Sequence, residues 1–285
     1  MFIFIFYKIS SFDEKILNAV NELSNKVSSS SSTSTGTTTE TTTTTTSNPF
    51  KDKWVSILGG GISTYKGYNI NEYTSDNYPT SDVDDVSKTW WHILLTKLGA
   101  KLCVNNSVNT QIVVSSKYPE AADNLHRESG KTYINLDGTT ETATERIDPD
   151  IILIDLGADD YINASTLGEF AVKYVSDDPT PGTFYDKYNY MLNAITNNNY
   201  PNAQIYCLDN AYCLKTDVST NQTEYQQAIR DEARIYGLKC LHVSSLCVHA
   251  GNIDTYLVNS KNPKSNMMKM IANQCYNEMM ADNCL

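Results

Sequence analysis

The sequence predicts an α/β domain with a parallel sheet of about five strands and helices on both faces. Three observations predict it. Short apolar runs alternate with amphipathic segments of helical period, the pattern of βαβ units. The run Asp150-Ile151-Ile152-Leu153-Ile154-Asp155-Leu156 is continuously apolar between its carboxylates, as a strand covered on both faces requires. The run Val55–Leu58 leads straight into Gly59-Gly60-Gly61, a strand ending in a sharp turn where the backbone can approach a ligand. Sites in open α/β sheets lie at such strand ends.

Three regions are expected along the 285 residues: a tail over 1–27, a linker over 28–49 and the α/β domain over 50–285. The apolar start, residues 1–7, stops at Lys8, is preceded by no basic segment and is followed by no small-residue cleavage site. No clear export signal is read, and the stretch is too short to span a bilayer. Ser11-Phe12-Asp13-Glu14 has the spacing of a capping box, and Ile16, Val20, Leu23 and Val27 then recur at four, three and four residues. The seam covers about two heptads, too few for a stable coiled coil. It suits self-association of several chains, docking on a body, or a marginal helix on a tail. Ser28 to Asn48 is almost all Ser and Thr, buries nothing apolar, and is expected to be disordered.

Within the domain, Tyr65–Ser81 reads as a loop. Asp82–Gly99 reads as a helix stopped by glycine, with Val83, Val86, Trp90, Leu94 and Leu98 on one face. Lys101–Val104 is a strand and Glu120–Glu128 a helix with few apolar anchors. Tyr185–Asn197 and Tyr225–Tyr236 are helices. Gln204–Leu208 and Leu238–Val243 are strands. Pro263–Met280 is the closing helix, its methionines serving as core.

The net charge of −11 excludes a general binder of nucleic-acid backbone. Seven cysteines without a CxxC pair, three of them (Cys103, Cys207 and Cys240) in apolar runs, argue against zinc and against a dense disulfide framework. A reduced compartment is the plainer reading, with a single disulfide left open. No cofactor or metal is expected. Asp159, Asp160 and Asp209 at strand ends read as solvated loop carboxylates rather than cation ligands. Compartment stays open between the cytoplasm and a surface or virion assembly.

Four segments resemble, in order, the sequence blocks of the SGNH (GDSL-type) hydrolases. Gly59-Gly60-Gly61-Ile62-Ser63 stands where that family has Gly-Asp-Ser-Ile-Ser. Leu102-Cys103-Val104-Asn105-Asn106-Ser107-Val108-Asn109-Thr110 is similar to its Asn-Asn-Ser-Trp-Ser-Gly segment. Gly157-Ala158-Asp159-Asp160 is similar to Gly-x-Asn-Asp, and Asn259-Ser260-Lys261-Asn262-Pro263 to Asp-x-x-His-Pro. The resemblance implies a flavodoxin-like α/β/α sandwich of the SGNH-hydrolase fold. It places the nucleophile at Gly61, the oxyanion glycine at Thr110 to within one residue, the oxyanion asparagine at Asp159, and the triad Asp and His at Asn259 and Asn262.

Those replacements remove the chemistry. Glycine carries no nucleophile, an amide is no base near neutral pH, and a carboxylate stands where negative charge would develop. The expectation is a family member without ester hydrolysis, keeping at Gly60, Gly61, Thr110, Asp159, Asn259 and Asn262 a pocket for a small-molecule or acylated-glycan ligand. Tyr65, Tyr68, Tyr73 and Tyr78 supply aromatic faces nearby. The alternatives are an active esterase with a rebuilt site, in which His249 is the substitute base and Ser63 a weaker nucleophile candidate, and the structural head of a fibre or surface assembly. His92, His126 and His242 read as structural.

Overall fold

A computed structural model of the chain describes residues 48–70, 76–115, 119–179, 182–209, 222–246, 248, 251–258 and 261–282. The seam Ile16, Val20, Leu23, Val27, nearly all of the Ser/Thr linker, His249 and Asn259 lie outside the described residues.

The principal elements are β1 (Trp54–Gly59), α1 (Trp90–Leu98), β2 (Lys101–Asn105), β3 (Thr132–Ile134), β4 (Thr140–Thr142), β5 (Ile151–Asp155) and α2 (Ala158–Ile162). They continue with α3 (Phe184–Asn193), β6 (Gln204–Leu208), α4 (Gln222–Ile235), β7 (Lys239–Leu241), α5 (Ile253–Tyr256), β8 (Leu257–Val258), β9 (Asn262–Pro263) and α6 (Ser265–Asp282). Five strands form one sheet in the order β2-β1-β5-β6-β7. All four pairings are parallel. This is the flavodoxin-like order, whose topological switch point lies between β1 and β5.

Side-chain alternation along each strand divides the interior in two. On β5, Ile151 and Leu153 join the core under α1 and α6, with Trp90, Trp91, Leu94, Met267, Ile271 and Met279. Ile152 and Ile154 face the other way, into the core under α3 and α4 with Tyr188, Met191, Tyr225 and Ile229. Burial on both sides is why β5 reads as an unbroken apolar run, and why the closing-helix methionines belong to the core.

Several element boundaries differ from expectation. The helix expected over Asp82–Gly99 starts only at Trp90, behind a 3-10 turn at Val86–Lys88. The Asp85 carboxylate accepts from the Ser87 N–H at 2.8 Å, and Thr89 is extended, which interrupts the helical ladder. Its stop is as expected, with Gly99 left-handed at φ 63°. The helix expected over Glu120–Glu128 is a single 3-10 turn, Glu120–Asp123. Pro263 falls in a two-residue strand ahead of α6 rather than in its first turn.

An antiparallel hairpin, β3–β4, packs on β2, with Tyr133 and Ala143 in a small cluster with Cys103 and Val104. Arg127 secures it. The buried guanidinium donates to the Leu102 and Cys103 carbonyls at 2.7 and 2.8 Å, to Asn135 Oδ1 at 3.0 Å and to Glu141 Oε2 at 3.2 Å. Its plane also lies over the Trp54 and Tyr133 rings. Among the described residues, no helix is long and apolar enough to cross a membrane.

Candidate functional site

The carboxyl ends of β1 and β5 bring the first and third family-like segments together. Gly59 lies opposite Asp155 in the ladder, and the Gly60 N–H donates to the Asp155 carbonyl at 2.9 Å. Behind the glycines the chain makes one 3-10 turn, Gly61–Ser63. The Ser63 hydroxyl is wholly buried, donates to Asp155 Oδ2 at 2.6 Å and accepts from the Trp90 indole N–H at 3.1 Å. Two strong bonds and no solvent access make it a structural strut rather than a nucleophile.

The space beside Gly61 is filled. A Cβ placed on Gly61 would lie 2.2 Å from Asn77 Nδ2 and 2.7 Å from Asn109 Oδ1. Asn77 also donates to Asn262 Oδ1 at 3.2 Å, and its own N–H donates to Thr64 Oγ1 at 2.8 Å. Gly61 and Asn262, which the sequence resemblance assigns to nucleophile and base, are therefore bridged by one amide from the Tyr65–Ser81 loop. Asn262 is held by β9, where Val258 pairs with it and Leu257 with Pro263.

On the other side of Gly60 stands the carboxylate of Asp159. Its Oδ2 lies 3.1 Å from where a Gly60 Cβ would be, and its Oδ1 accepts from Lys261 Nζ at 2.7 Å. Asp159 is 4% exposed and Lys261 30%. A buried carboxylate so placed needs a counter-charge, and Lys261 supplies it. Among the described residues lining the crevice, Lys261 is the one cation. The space left between Gly60, Gly61, Gln111, Asp159 and Lys261 is about 10 Å³, room for about one water.

Thr110 is exposed and lies beyond the lining of this cavity, with φ 62°. That left-handed conformation is strained for a β-branched residue and easy for glycine. Its neighbour Asn109 is the residue of this segment that reaches the Gly61 seat. Next to Asp159, the fully buried Asp160 accepts from the Val113 and Val114 N–H groups at 2.8 and 3.1 Å and ties the turn that follows the second segment to α2. Burial raises its pKa to about 7 against the lowering effect of those bonds.

The other candidate side chains are occupied elsewhere. Tyr65 and Tyr78 are buried and donate to the Asp84 and Pro263 carbonyls. Tyr68 packs against Trp91, and Tyr73 lies outside the described residues. His92 Nε2 lies 2.9 Å from the Leu136 carbonyl, and His242 Nδ1 lies 3.3 Å from Glu278 Oε2. Asp209 is bound by Arg230 and Ser244. Cys103, Cys207, Cys240 and Cys275 are free thiols, and no cluster that could hold a metal occurs among the described residues.

Asn77 and Lys261 were not foreseen as site residues. Asn77 sits in a polar loop whose composition predicts only a loop. Lys261 lies inside the fourth segment, between the two triad positions, and an unpaired Asp159 was the one signal that could have pointed to it.

The comparisons with known proteins agree with this fold. The family described as GDSL-like Lipase/Acylhydrolase matches residues 53–279. A chain named GDSL-like lipase from Bacteroides ovatus is similar at 23% identity, with 81% of this chain and 99% of that chain covered and a TM-score of 0.58. One of the same name from Bacteroides uniformis gives 21%, 81%, 96% and 0.55. A protein from Lactobacillus plantarum gives 17%, 81%, 98% and 0.55. Among curated proteins none matches. With its sheet order, its glycine elbow at the switch point and a family match over most of its length, the chain belongs to the GDSL-like lipase/acylhydrolase family.

Proposed function

We propose that this GDSL-family domain no longer hydrolyses esters by the serine route and keeps the family crevice as a closed polar seat. One observation carries the reading: the space a nucleophile would need at Gly61 is held by the Asn77 and Asn109 amides, with Asn77 bonded to Asn262. Acyl transfer needs an attacking oxygen, a base to take its proton and donors facing the oxyanion. Gly61 supplies no oxygen, Asn262 takes no proton near neutral pH, and Asp159 presents an acceptor. An acylated glycan, the ligand class expected from the sequence, would enter only with Lys261 and Asn77 displaced, because about 10 Å³ admits no sugar ring.

The test is hydrolysis of p-nitrophenyl acetate by the full chain beside two restored variants. The first carries Gly60→Asp, Gly61→Ser, Asn259→Asp and Asn262→His. The second adds Asn77→Ala to clear the seat. A silent parent with turnover in the second variant supports the reading. Turnover by the parent overturns it, and loss of that turnover in His249→Ala would place the base at His249.

A further inference from the structure

An open groove of about 680 Å³ lies beyond the free edge of β2, within the range of about 300–1,000 Å³ usual for ligand sites. Residues 67–70 form one wall and β3 the other, with Asn106, Ala121 and Asn124 toward the base and His126 and Glu128 at the side. None of these residues belongs to the crevice at Gly60 and Gly61. The wall at 67–70 is fixed to the sheet through Ile70, whose N–H donates to the Asn105 carbonyl at 3.0 Å.

Asn106 presents a fixed acceptor to this space. The residue is 3% exposed, and its Nδ2 donates to the Ala121 and Asn124 carbonyls at 2.9 and 3.0 Å. Both amide protons are thereby spent, and the other end of the amide must be the oxygen. Oδ1 has no hydrogen-bond partner among the described residues, yet it is not sealed from solvent, so it opens on the groove that Asn106 lines. A nearly buried acceptor of this kind calls for a donor from outside the chain.

His126 adds a second acceptor. The Tyr200 hydroxyl accepts from the Leu125 N–H and donates to the Asp123 carbonyl, both at 2.8 Å, so its one proton is committed. His126 Nδ1, 2.9 Å from that hydroxyl, then carries the proton of their bond. Nε2, on the far side of the ring from Tyr200, is left as an acceptor without a partner among the described residues. Burial, followed by the Arg146 charge, lowers the His126 pKa and favours the neutral ring this tautomer needs.

The groove carries no net charge to recognise an ion. Its charged lining residues, Glu128 and Lys131, pair with each other at 2.8 Å. An ion entering would lose hydration without a free counter-charge to replace it. Tyr68 on one wall and Tyr133 on the other add ring surface to the polar lining. We propose that this groove binds a neutral saccharide, whose hydroxyls donate to Asn106 Oδ1 and His126 Nε2 while its ring rests against the tyrosines. Sugar hydroxyls supply the donors that two fixed acceptors require, and the C–H faces of the ring suit aromatic walls.

The experiment titrates the full chain, labelled with nitrogen-15, with cellobiose, maltose and N-acetylglucosamine, and with glucuronate and spermidine as charged controls. At least one neutral sugar should bind saturably with a Kd of about 1 mM or tighter, about ten-fold better than either ion. The shifts should fall on the Asn106 side-chain amide and on residues 67–70 and 126–134. His126→Phe should weaken that sugar by about ten-fold, while the Tyr200 bonds to Leu125 and Asp123 keep the fold. An unchanged Leu125 amide signal in the variant verifies the fold. Failure of all three sugars to bind overturns the proposal, as does tighter binding of an ion or equal affinity in His126→Phe. Shifts confined to Gly59–Gly61 overturn it as well, by placing the sugar in the family crevice.

Discussion

Replacing Gly61 with serine tests whether the nucleophile seat is truly occupied. The new Cβ would lie 2.2 Å from Asn77 Nδ2 and 2.7 Å from Asn109 Oδ1, both closer than a carbon atom tolerates. Both atoms are tips of side chains, so the chain relaxes by turning the amides away rather than by moving backbone. Turning Asn77 breaks its 3.2 Å bond to Asn262, worth about 1 kcal/mol for a neutral pair. Crowding at the low end of overpacking costs about 1 kcal/mol more. Gly61→Ser should therefore destabilise by about 2 kcal/mol in urea denaturation. Asn77→Ala should cost about 1 kcal/mol alone, through the same lost bond. In the double variant both penalties spring from one displaced side chain, so the sum should fall short of additivity by about 1 kcal/mol or more. A neutral Gly61→Ser, or strict additivity with Asn77→Ala, would refute the occupied seat.

Other outcomes follow from the same geometry. Lys261→Ala should destabilise by about 1–3 kcal/mol, because it strands the Asp159 carboxylate while Lys261 itself is partly solvated, and Asp159→Asn in the same chain should restore much of that loss. Ser63→Ala should cost about 2 kcal/mol in thermal or urea unfolding by leaving Asp155 and the Trp90 indole each short of a partner, with ester turnover unaltered. Arg127→Met should loosen the hairpin, raising amide exchange across residues 128–147 and costing about 3 kcal/mol or more, since several buried acceptors lose their donor together. Stability should also fall as pH rises. Burial raises Asp160 to about 7 and Glu232 to about 8, so the folded chain holds both protons more tightly than the unfolded chain. Their contribution is complete below about pH 4 and is lost as pH climbs through 7 to 8, at up to about 1.4 kcal/mol per unit for each group. Urea midpoints of Glu232→Gln between pH 5 and 8.5 should show a shallower decline than the parent; an equal decline would exclude Glu232 as a source.

The sheet was legible because each of its strands is buried on one or both faces. β5 and β6 match their expected ranges within a residue, and the unbroken apolarity of Ile151–Ile154 reflects two separate cores. The helix ending at Gly99 was legible at its end and not at its start. Glycine is a strong stop signal, whereas the Asp85 turn competes with the helix through a side chain whose geometry no periodicity records. The β3–β4 hairpin escaped notice because Thr140–Thr142 is wholly exposed and its partner rests on one buried tyrosine, so neither carries the alternation that marks a strand. At the candidate site, Gly60, Gly61, Asp159 and Asn262 could be named from local segments by resemblance. Asn77 and Lys261 could not, because each earns its place through contacts with residues 185 and 102 positions away in the chain.

The bridging of Gly61 and Asn262 through Asn77 bears on which substitutions the chain tolerates. Gly61→Ser alone collides with Asn77. Gly60→Asp alone sets a second carboxylate beside Asp159, whose Oδ2 lies 3.1 Å from the added Cβ. Asn262→His removes the Oδ1 that accepts from Asn77, and Asp159→Asn removes the carboxylate charge that faces Lys261. Each of these substitutions is a loss when made singly and becomes tolerable only after a neighbour has altered. Such sign epistasis ties the four positions into one unit, in which the effect of a change at any of them is set by the state of its neighbours.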